Sequence, residues 1–314
     1  MNPAIFGVKP VGLNWTKNQI TTVGSPVYSD ISYNGTAFVI TGNNGGGGAV
    51  ILSATNPAST WTSRSPVTSA ANLYAVANNG SRFVAIGGTS ANPGVYSDDN
   101  GATWALNGIH SAGWRGLCYG GGQFVAVANT GGGTPLASTS TDGTATWTGQ
   151  TIPTADWEDV FYGNGLYVAV GLSGAIATSP DGITWTSRTS GTTDALYRVR
   201  YKSGVWCAVG APLAGGAARV LVSYDGITWA SQTLPTQAEN FNGLCAHKNW
   251  FLATPQASTY VTQIWRSISG LTNGWSSSAS GIPSSAEIRS IVSDGTNIVA
   301  TYNASSDHGV LISS

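Results

Sequence analysis

Six charged or phenolic side chains of this 314-residue chain fall at two neighbouring positions of a repeated strand pattern, where they could bind a ligand. They are Arg115, Glu158, Asp159, Tyr197, Arg198 and Arg289. Hydrolysis of a glycoside would require two carboxyl groups about 5 to 9.5 Å apart. Glu158 and Asp159 are sequence neighbours whose side chains should point to opposite faces of a strand. We therefore interpret the six residues as candidates for binding a ligand or a partner, and we expect no catalytic residue.

A tryptophan repeat indicates which elements position these side chains. One tryptophan recurs every 38 to 46 residues, at Trp15, Trp61, Trp104, Trp147, Trp185, Trp229 and Trp275. Repeats of roughly 40 to 45 residues that each hold several short strand patterns are typical of β-propeller blades. The unit between Trp157 and Ser187 is the clearest, because Asn164-Gly165 and Asp181-Gly182 separate short alternating segments. The pattern predicts an all-β, seven-bladed β-propeller of four-stranded blades.

Each unit has a core residue on its first strand and another seven residues later on its second strand. The seven pairs are Ile31/Phe38, Val76/Phe83, Leu117/Phe124, Val160/Tyr167, Val199/Trp206, Leu244/Phe251 and Ile291/Ile298. We expect them to pack blade against blade. The last unit lacks a tryptophan strand of its own, so we expect the N-terminal segment around Trp15 to complete the last blade and leave no open sheet edge. We interpret residues 1–314 as a single domain, with blades near 28–62, 73–106, 114–149, 157–187, 196–231, 241–278, and 288–314 plus 11–17.

The first member of each pair is called the anchor here, and the two positions before it vary among units while the anchors repeat. Two residues before the anchor stand Ser29, Tyr74, Arg115, Glu158, Tyr197, Asn242 and Arg289. One residue before it stand Asp30, Ala75, Gly116, Asp159, Arg198, Gly243 and Ser290. A packing role would require similar residues in every blade, so the variation fits a ligand or partner site. A solvated funnel at the mouth of the channel would vary in the same way, and this alternative stays open.

The turn between the third and fourth strands carries a recognisable motif. The segment from Ser97 through Asp99, Gly101 and Thr103 to Trp104 fits S-x-D-x-G-x-T-W, and shortened or stretched versions contain Asp142, Asp181 and Asp225. It resembles the Asp-box, or bacterial neuraminidase (BNR) repeat, of sialidase-type propellers. We expect it to be structural, with Ser and Asp oxygens accepting turn N–H groups, Gly in the left-handed conformation and Trp packed between sheets. No metal or cofactor is expected, because the turns lack the alternating carboxylates and terminal glutamate of a calcium loop.

The resemblance to sialidases implies an arginine cluster for a substrate carboxylate, Tyr197 activated by Glu158 as nucleophile, and Asp30 or Asp159 as acid. The sequence departs from that family in two ways. It lacks the Arg-Ile-Pro signature near its N-terminus, and it has seven repeats where catalytic sialidases have six blades. We therefore expect that the protein is not an enzyme, and keep a sialidase-like glycoside hydrolase as an alternative.

Besides the seven repeat tryptophans and Trp206 of the core pairs, four further tryptophans occur, at Trp114, Trp157, Trp250 and Trp265. Trp114 and Trp157 share a position with apolar residues of other units, so we expect them in the core. Trp265, with Tyr260, lies near the longest loop of the sixth unit. We expect this pair to be exposed, where an aromatic ring could stack on a sugar.

Composition excludes several classes of partner. Charged residues make up 9% of the chain, against about 25% in an average soluble domain. The net charge is −1 and no basic run occurs, so nucleic acid is not expected as a partner. No apolar stretch approaches about 18 residues, and the segment 1–11 does not resemble a signal peptide, so neither membrane insertion nor classical secretion is expected. Cys118, Cys207 and Cys245 lie in apolar strand patterns and should be buried free thiols.

The low charge and the degenerate motif are similar to those of phage structural proteins, in which such propellers occur on tail fibres, tail tips or capsid surfaces. We predict a non-enzymatic virion module for assembly or host attachment, assembled in the host cytoplasm. Its partners would be other virion proteins or a host-surface glycan, within a larger assembly. A soluble lectin-like carbohydrate-binding propeller is an alternative. Another is a cellular assembly factor related to photosystem-associated propellers, although the arginine patch of those proteins is not evident in the sequence.

Overall fold

Seven four-stranded antiparallel sheets make up the fold of this chain in the computed structural model. The structure describes residues 14–20, 26–65, 72–88, 93–212, 218–232, 234, 240–255, 264–268, 275–278, 282, 286–304 and 307–313. The first strand of every blade contacts the first strands of the two neighbouring blades, and the seventh contacts the first. The sheets therefore form a closed ring, and the predicted seven-bladed propeller is confirmed.

In blades 1 to 6 the strands follow one another in chain order from the centre of the ring outwards. Blade 1 holds β2 (Val27–Tyr33), β3 (Phe38–Asn43), β4 (Ala49–Ala54) and β5 (Thr62–Arg64). Blade 2 holds β6 (Leu73–Asn78), β7 (Phe83–Gly87), β8 (Gly94–Ser97) and β9 (Ala105–Leu106). Blade 3 holds β10 (Gly113–Gly120), β11 (Gln123–Asn129), β12 (Ala137–Ser140) and β13 (Thr148–Gln150). Blade 4 holds β14 (Trp157–Gly163), β15 (Leu166–Gly171), β16 (Ile176–Ser179) and β17 (Thr186–Arg188).

Blade 5 holds β18 (Ala195–Lys202), β19 (Val205–Ala211), β20 (Arg219–Ser223) and β21 (Ala230–Gln232). Blade 6 holds β22 (Phe241–His247), β23 (Trp250–Pro255), β24 (Ile264–Ser267) and β25 (Ser276–Ser278). Blade 7 holds β26 (Glu287–Ser293), β27 (Ile298–Ala304) and β28 (Asp307–Ser313), and its outer strand is β1 (Thr16–Gln19). Two 3₁₀ turns, Thr130–Gly132 and Leu172–Gly174, connect second and third strands. None of the described residues belongs to a helix long and apolar enough to span a membrane.

The ring closes through an N-terminal strand, as predicted. Strand β1 pairs with β28 from Thr16 opposite Ile312 to Gln19 opposite Gly309. On the inner side of the closure, the backbone N–H of Tyr28 donates to Asn303 Oδ1 at 2.8 Å, and Asn303 Nδ2 donates to the carbonyl of Tyr28 at 3.1 Å. One asparagine thus joins the last blade to the first with two hydrogen bonds.

The predicted anchor pairs form the core. All fourteen side chains are buried, and Phe38, Phe83, Phe124, Tyr167, Trp206 and Phe251 are among the largest fully buried ones. Trp114 and Trp157 are also buried, as expected, and so are the three cysteines, which are unpaired. The expected exposure of Trp265 is wrong: it is only 8% exposed, with its ring against Phe241. Its partner in that prediction, Tyr260, lies outside the described residues.

The turn between the third and fourth strands of blade 5 shows how the repeated Ser-Asp-Gly-Trp residues stabilise a hairpin. Gly226 N–H donates to Ser223 Oγ at 2.8 Å, and the N–H groups of Ile227 and Thr228 both donate to Asp225 Oδ1 at 2.8 Å. The indole of Trp229 donates to the carbonyl of Gly226 at 3.0 Å. Gly226 itself has φ +74°, a conformation that favours glycine.

The same bonds recur in other blades with one informative difference. Ser97 Oγ donates to Asp99, Asp99 accepts from Thr103, and Trp104 donates to the carbonyl of Gly101. Blade 3 has one more residue between Gly143 and its tryptophan. In that blade Trp147 is only half-buried, and its buried indole nitrogen has no hydrogen-bond partner. The spacing between glycine and tryptophan therefore decides whether the indole can reach the turn.

We expect Asp225→Ala to lower the free energy of unfolding by about 1 kcal/mol, the usual value of a hydrogen bond lost from a folded chain. The N–H groups of Thr228 and Ile227 lower the pKa of Asp225 to about 2, below its unfolded value of about 3.9. The carboxylate's contribution should therefore be complete above pH ~4 and disappear as the pH falls towards 2. Denaturant unfolding as a function of pH measures this. Tyr224→Ala, at an exposed position of the same turn, is the control and should match the wild type throughout; a difference that persists at pH ~2 would contradict the prediction.

Candidate functional site

Every first strand contains a β-bulge at the same place. In blade 3 the pairing passes from Trp114 opposite Ala128 to Gly116 opposite Val127, which leaves Arg115 unpaired. The other first strands skip one residue in the same way. The seven skipped residues are Ser29, Tyr74, Arg115, Glu158, Tyr197, Asn242 and Arg289. A bulge redirects a side chain away from the regular pleat. In this ring the bulged residue is, in all seven blades, the variable residue two positions before the anchor.

The seven bulged residues line one cavity at the axis of the ring. Together with Arg198 and Glu287 they enclose about 220 Å³, and we call this space the mouth cavity. It lies at the rim where the first strands begin, opposite the rim that carries the hairpin turns. Five of the six candidate residues therefore meet in one place: Arg115, Glu158, Tyr197, Arg198 and Arg289. That this cavity binds a ligand stays a prediction.

Three guanidinium groups and two carboxyl groups determine the electrostatics of the mouth cavity. Arg289 Nε lies 3.0 Å from Glu287 Oε1, so this arginine has an acidic partner. The guanidinium of Arg115 lies over the ring of Tyr74, 4.3 Å from its centroid, and its Nε has no hydrogen-bond partner. Arg198 donates to the carbonyl of Tyr197 at 2.8 Å. In the part of the chain that the structure describes, neither Arg115 nor Arg198 forms an ion pair, so both can bind an anionic group.

The electrostatics of Tyr197 do not suit a nucleophile. Burial, and then the negative charge of Glu158, raises the pKa of Tyr197 above its ordinary value. Burial also raises the pKa of Glu158, while the positive charges of Arg115 and Arg198 lower it. An activated tyrosine would need a lowered pKa. The pair implied by the resemblance to sialidases is therefore close in space but unfavourable for forming a phenolate.

Asp159 does not belong to the mouth cavity, contrary to the prediction. It is 6% exposed, accepts the backbone N–H of Val199 at 3.0 Å and forms an ion pair of 2.6 Å with Arg200. The physical reason is the bulge, because the residue after it returns to the regular pleat and points towards the next blade. Asp159 thus joins blade 4 to blade 5.

Asp30 makes the equivalent connection at the other side of the ring. Its carboxylate accepts the N–H of Val76 at 2.9 Å and the hydroxyl of Ser290 at 2.6 Å, and so links blades 1, 2 and 7. Burial raises its pKa, while the charge of Arg198 lowers it. Both carboxyls implied as the catalytic acid are therefore occupied by structural hydrogen bonds and do not line the mouth cavity.

A second cavity of about 290 Å³ continues along the axis beneath the mouth cavity. Tyr74, Arg115 and Arg198 border both spaces. Cys118 and Cys245 line the inner cavity, and burial raises the pKa of Cys245 to about 12, which keeps the thiol neutral. Among the described residues, no three His, Cys, Asp or Glu side chains are grouped closely enough to hold a metal ion.

Sequence reasoning missed two residues that matter here. Glu287 lines the mouth cavity and pairs with Arg289, and Arg200 neutralises Asp159 in the channel. Both could have been found from alternation, since Glu287 lies two residues before Arg289 and Arg200 two after Arg198.

Comparison with known proteins identifies the fold alone. No family model matches the chain, and no curated protein matches its sequence. The structure is similar to YCF48 from Cyanidioschyzon merolae, with a TM-score of 0.67 and 15% identity over 96% of this chain and 98% of that one. It is also similar to YCF48 bound to D1 peptide, with a TM-score of 0.66 and 16% identity over 95% and 96%. The shared architecture is a β-propeller. At such identity nothing finer follows, and the relation to Asp-box proteins stays a resemblance.

The ion pair of Asp159 and Arg200 allows a test of whether Asp159 stabilises the fold rather than lines the candidate site. We expect Asp159→Leu to lower the free energy of unfolding by up to about 3–5 kcal/mol, the cost of breaking a buried pair, because it leaves the Arg200 side chain, only 20% exposed, without its partner. Adding Arg200→Met should recover most of that loss. Asp98→Ala, which breaks the exposed ion pair with Arg82, is the control and should cost less than about 1 kcal/mol. Equal losses for Asp159→Leu and Asp98→Ala in denaturant unfolding would contradict the assignment of Asp159 to the scaffold.

Proposed function

We propose that this protein is a non-enzymatic propeller module that works in a larger assembly and binds an exposed, carboxylate-bearing segment of a partner protein in the mouth cavity. The observation that carries the proposal is the pair Arg115 and Arg198, two guanidinium groups that line the cavity and form no ion pair with any described residue, with the one carboxyl of Glu158 close to both of their charges. Guanidinium groups bind carboxylates through charge-assisted hydrogen bonds.

The size and walls of the mouth cavity favour a protruding segment over a flat surface. About 220 Å³ accommodates a few side chains of a partner, and the rings of Tyr74 and Tyr197 provide apolar contact beside the charges. YCF48 in complex with D1 peptide is an example of a similar fold that holds a peptide. Because the identity is only 16%, the argument for a peptide partner of the present chain depends on the residues of its own cavity.

The setting we propose is a phage virion, on the tail or capsid surface, where the module would serve in assembly or host attachment. Two features of the sequence support it, the 9% content of charged residues and the degenerate third turns. A non-enzymatic role is supported by the occupied carboxylates of Asp30 and Asp159 and by the raised pKa of Tyr197.

A second candidate function is the binding of an acidic glycan. Tyr74, Tyr197 and Asn242 line the same cavity as the arginines, and aromatic faces with amide groups suit a sugar ring. A sugar carboxylate would then occupy the place of the partner's acidic side chain. The two candidates share the arginines and differ in the rest of the ligand.

We expect short synthetic peptides that contain aspartate or glutamate to bind, and their asparagine or glutamine counterparts to bind at least about tenfold more weakly, since a hydrogen bond to a charged group contributes about 1.5–3 kcal/mol. Arg115→Ala and Arg198→Ala should each cause a similar loss, measured by isothermal titration calorimetry. Arg188→Ala is the matched control, because Arg188 lies on the outer strand of blade 4 and bonds to Thr178.

Other results would redirect the proposal. Binding of sialic acid that is lost in the same two variants, with no peptide binding, would establish the glycan candidate. Equal binding of acidic and neutral peptides would contradict the proposal that Arg115 and Arg198 bind the carboxylates of the ligand. For the setting, mass spectrometry of purified virions from the source material should detect the chain, and its presence only in uninfected cells would contradict a virion role.

A further inference from the structure

One carboxyl group of the mouth cavity has no direct partner. Glu158 lines the cavity at its bulged position, and among the described residues none forms a hydrogen bond or an ion pair with its carboxyl. The other carboxyl of the cavity, on Glu287, lies 3.0 Å from Arg289 Nε. The next acidic residue of the strand, Asp159, is paired with Arg200. Glu158 is therefore the acid of the candidate site that the fold leaves unpaired.

Glu158 belongs to the blade between those that supply the two unpaired arginines. Arg115 is the bulged residue of blade 3, and Arg198 directly follows the bulge of blade 5. The first strand of blade 4 packs against the first strands of both neighbours. All three side chains line the same cavity of about 220 Å³. One acidic side chain thus stands, along the ring, between the two arginines that the proposed ligand uses.

The surrounding charges act on Glu158 in opposite directions. Burial raises the pKa of its carboxyl, and the positive charges of Arg115 and Arg198 lower it. On its own blade, the negative charges of Asp156 and Asp159 raise it as well. The resulting pKa lies above the ordinary value of a glutamate, about 4.3. Glu158 therefore loses its charge at a higher pH than an exposed glutamate does.

Other titratable groups beside Glu158 keep one charge state near neutral pH. The hydroxyl and the N–H of Thr130 donate to Asp156 and lower its pKa, so this carboxylate stays ionised. Burial raises the pKa of Tyr197, so its phenol stays neutral. None of the described residues that line the mouth cavity is a histidine, whose ordinary pKa of about 6.5 falls in this range. A change of binding between about pH 5 and 8 would therefore report on Glu158.

We infer, on the basis of the function proposed above, that Glu158 competes with the ligand for Arg115 and Arg198, and that an acidic ligand binds more tightly when this carboxyl is neutral. An ionised Glu158 and a ligand carboxylate bring two like charges to the same guanidinium groups, where they repel each other. The ligand's charge also disfavours the ionised form of Glu158, so binding takes up a proton where that form is populated. The Kd should consequently fall as the pH falls through the titration of Glu158.

The test uses the whole chain and a short peptide that carries cysteic acid in place of aspartate, because its sulfonate stays ionised and only the protein titrates. We expect the Kd to be about three- to tenfold lower at pH ~5 than at pH ~8, and calorimetry in buffers of different ionisation enthalpy to show uptake of up to about one proton per peptide. Glu158→Gln should bind about tenfold more tightly than the wild type at pH ~8 and lose both the pH dependence and the proton uptake. Asp98→Asn, which removes a negative charge from the opposite rim, is the matched control and should behave as the wild type.

Three results would count against the inference, provided that thermal unfolding shows Glu158→Gln to be folded. Equal Kd values for the wild type and Glu158→Gln, without proton uptake, would overturn it and leave the proposed function intact, because the acidic peptide would still bind. Weaker binding by Glu158→Gln would show that Glu158 contacts a cationic group of the ligand instead. Absence of binding by either protein at both pH values would contradict the proposed function, and the inference with it.

Discussion

No blade of this ring can bury its apolar residues alone, because a four-stranded sheet has two faces and only neighbouring sheets can cover them. The core reflects this dependence. Phe38 of blade 1 clusters with Val299 and Val310 of blade 7, so the first and last parts of the chain share one core. Strand β1 then completes the sheet of blade 7. The two cavities at the axis are lined by first strands from around the ring, so they exist only when the ring of blades is closed.

Directional bonds between blades add specificity to this non-directional packing. Asp30 and Asp159 occupy the same position in blades 1 and 4, and each accepts the N–H of the anchor in the following blade. Asn303 spans the closure between blades 7 and 1. The two buried carboxylates, of Asp30 and Asp159, therefore connect neighbouring sheets rather than serve as catalytic groups. Removing one partner of such a connection leaves a buried polar group unsatisfied, which is costlier than losing a surface contact.

The seven-bladed architecture could be predicted from the sequence because each blade repeats the same residue pattern. The tryptophan spacing and the anchor pairs, such as Val160 with Tyr167, each occur in all seven units, so an error in one unit would have been visible against the others. The same spacing located the variable positions that line the mouth cavity. Trp265 could not be placed in this way, since it stands outside the repeated position and only the packing of Phe241 shows that it is buried.

The bulge was not visible, because inserting one unpaired residue in the first strand leaves the spacing between anchors intact. Its effect on the candidate site was nevertheless large. It separates Glu158, which lines the mouth cavity, from Asp159, which packs into the next blade. The register of strand pairing decides which side chains are buried and which partners the charged ones meet. The residue pattern of one strand does not reveal this register, so the surroundings of Glu158 and Asp159 could not be predicted from it.

The bulges also bear on how such a ring can change over evolutionary time. A residue that takes no part in the ladder of its strand can be exchanged without disturbing backbone pairing, whereas its anchor two positions later cannot. The ring thus offers seven side chains around one axis that can be exchanged without changing strand pairing, although some of them, such as Arg115 and Tyr74, contact each other. New binding specificities can then arise by single substitutions at these positions, at little risk to folding, and related rings can diverge in ligand long before they diverge in shape.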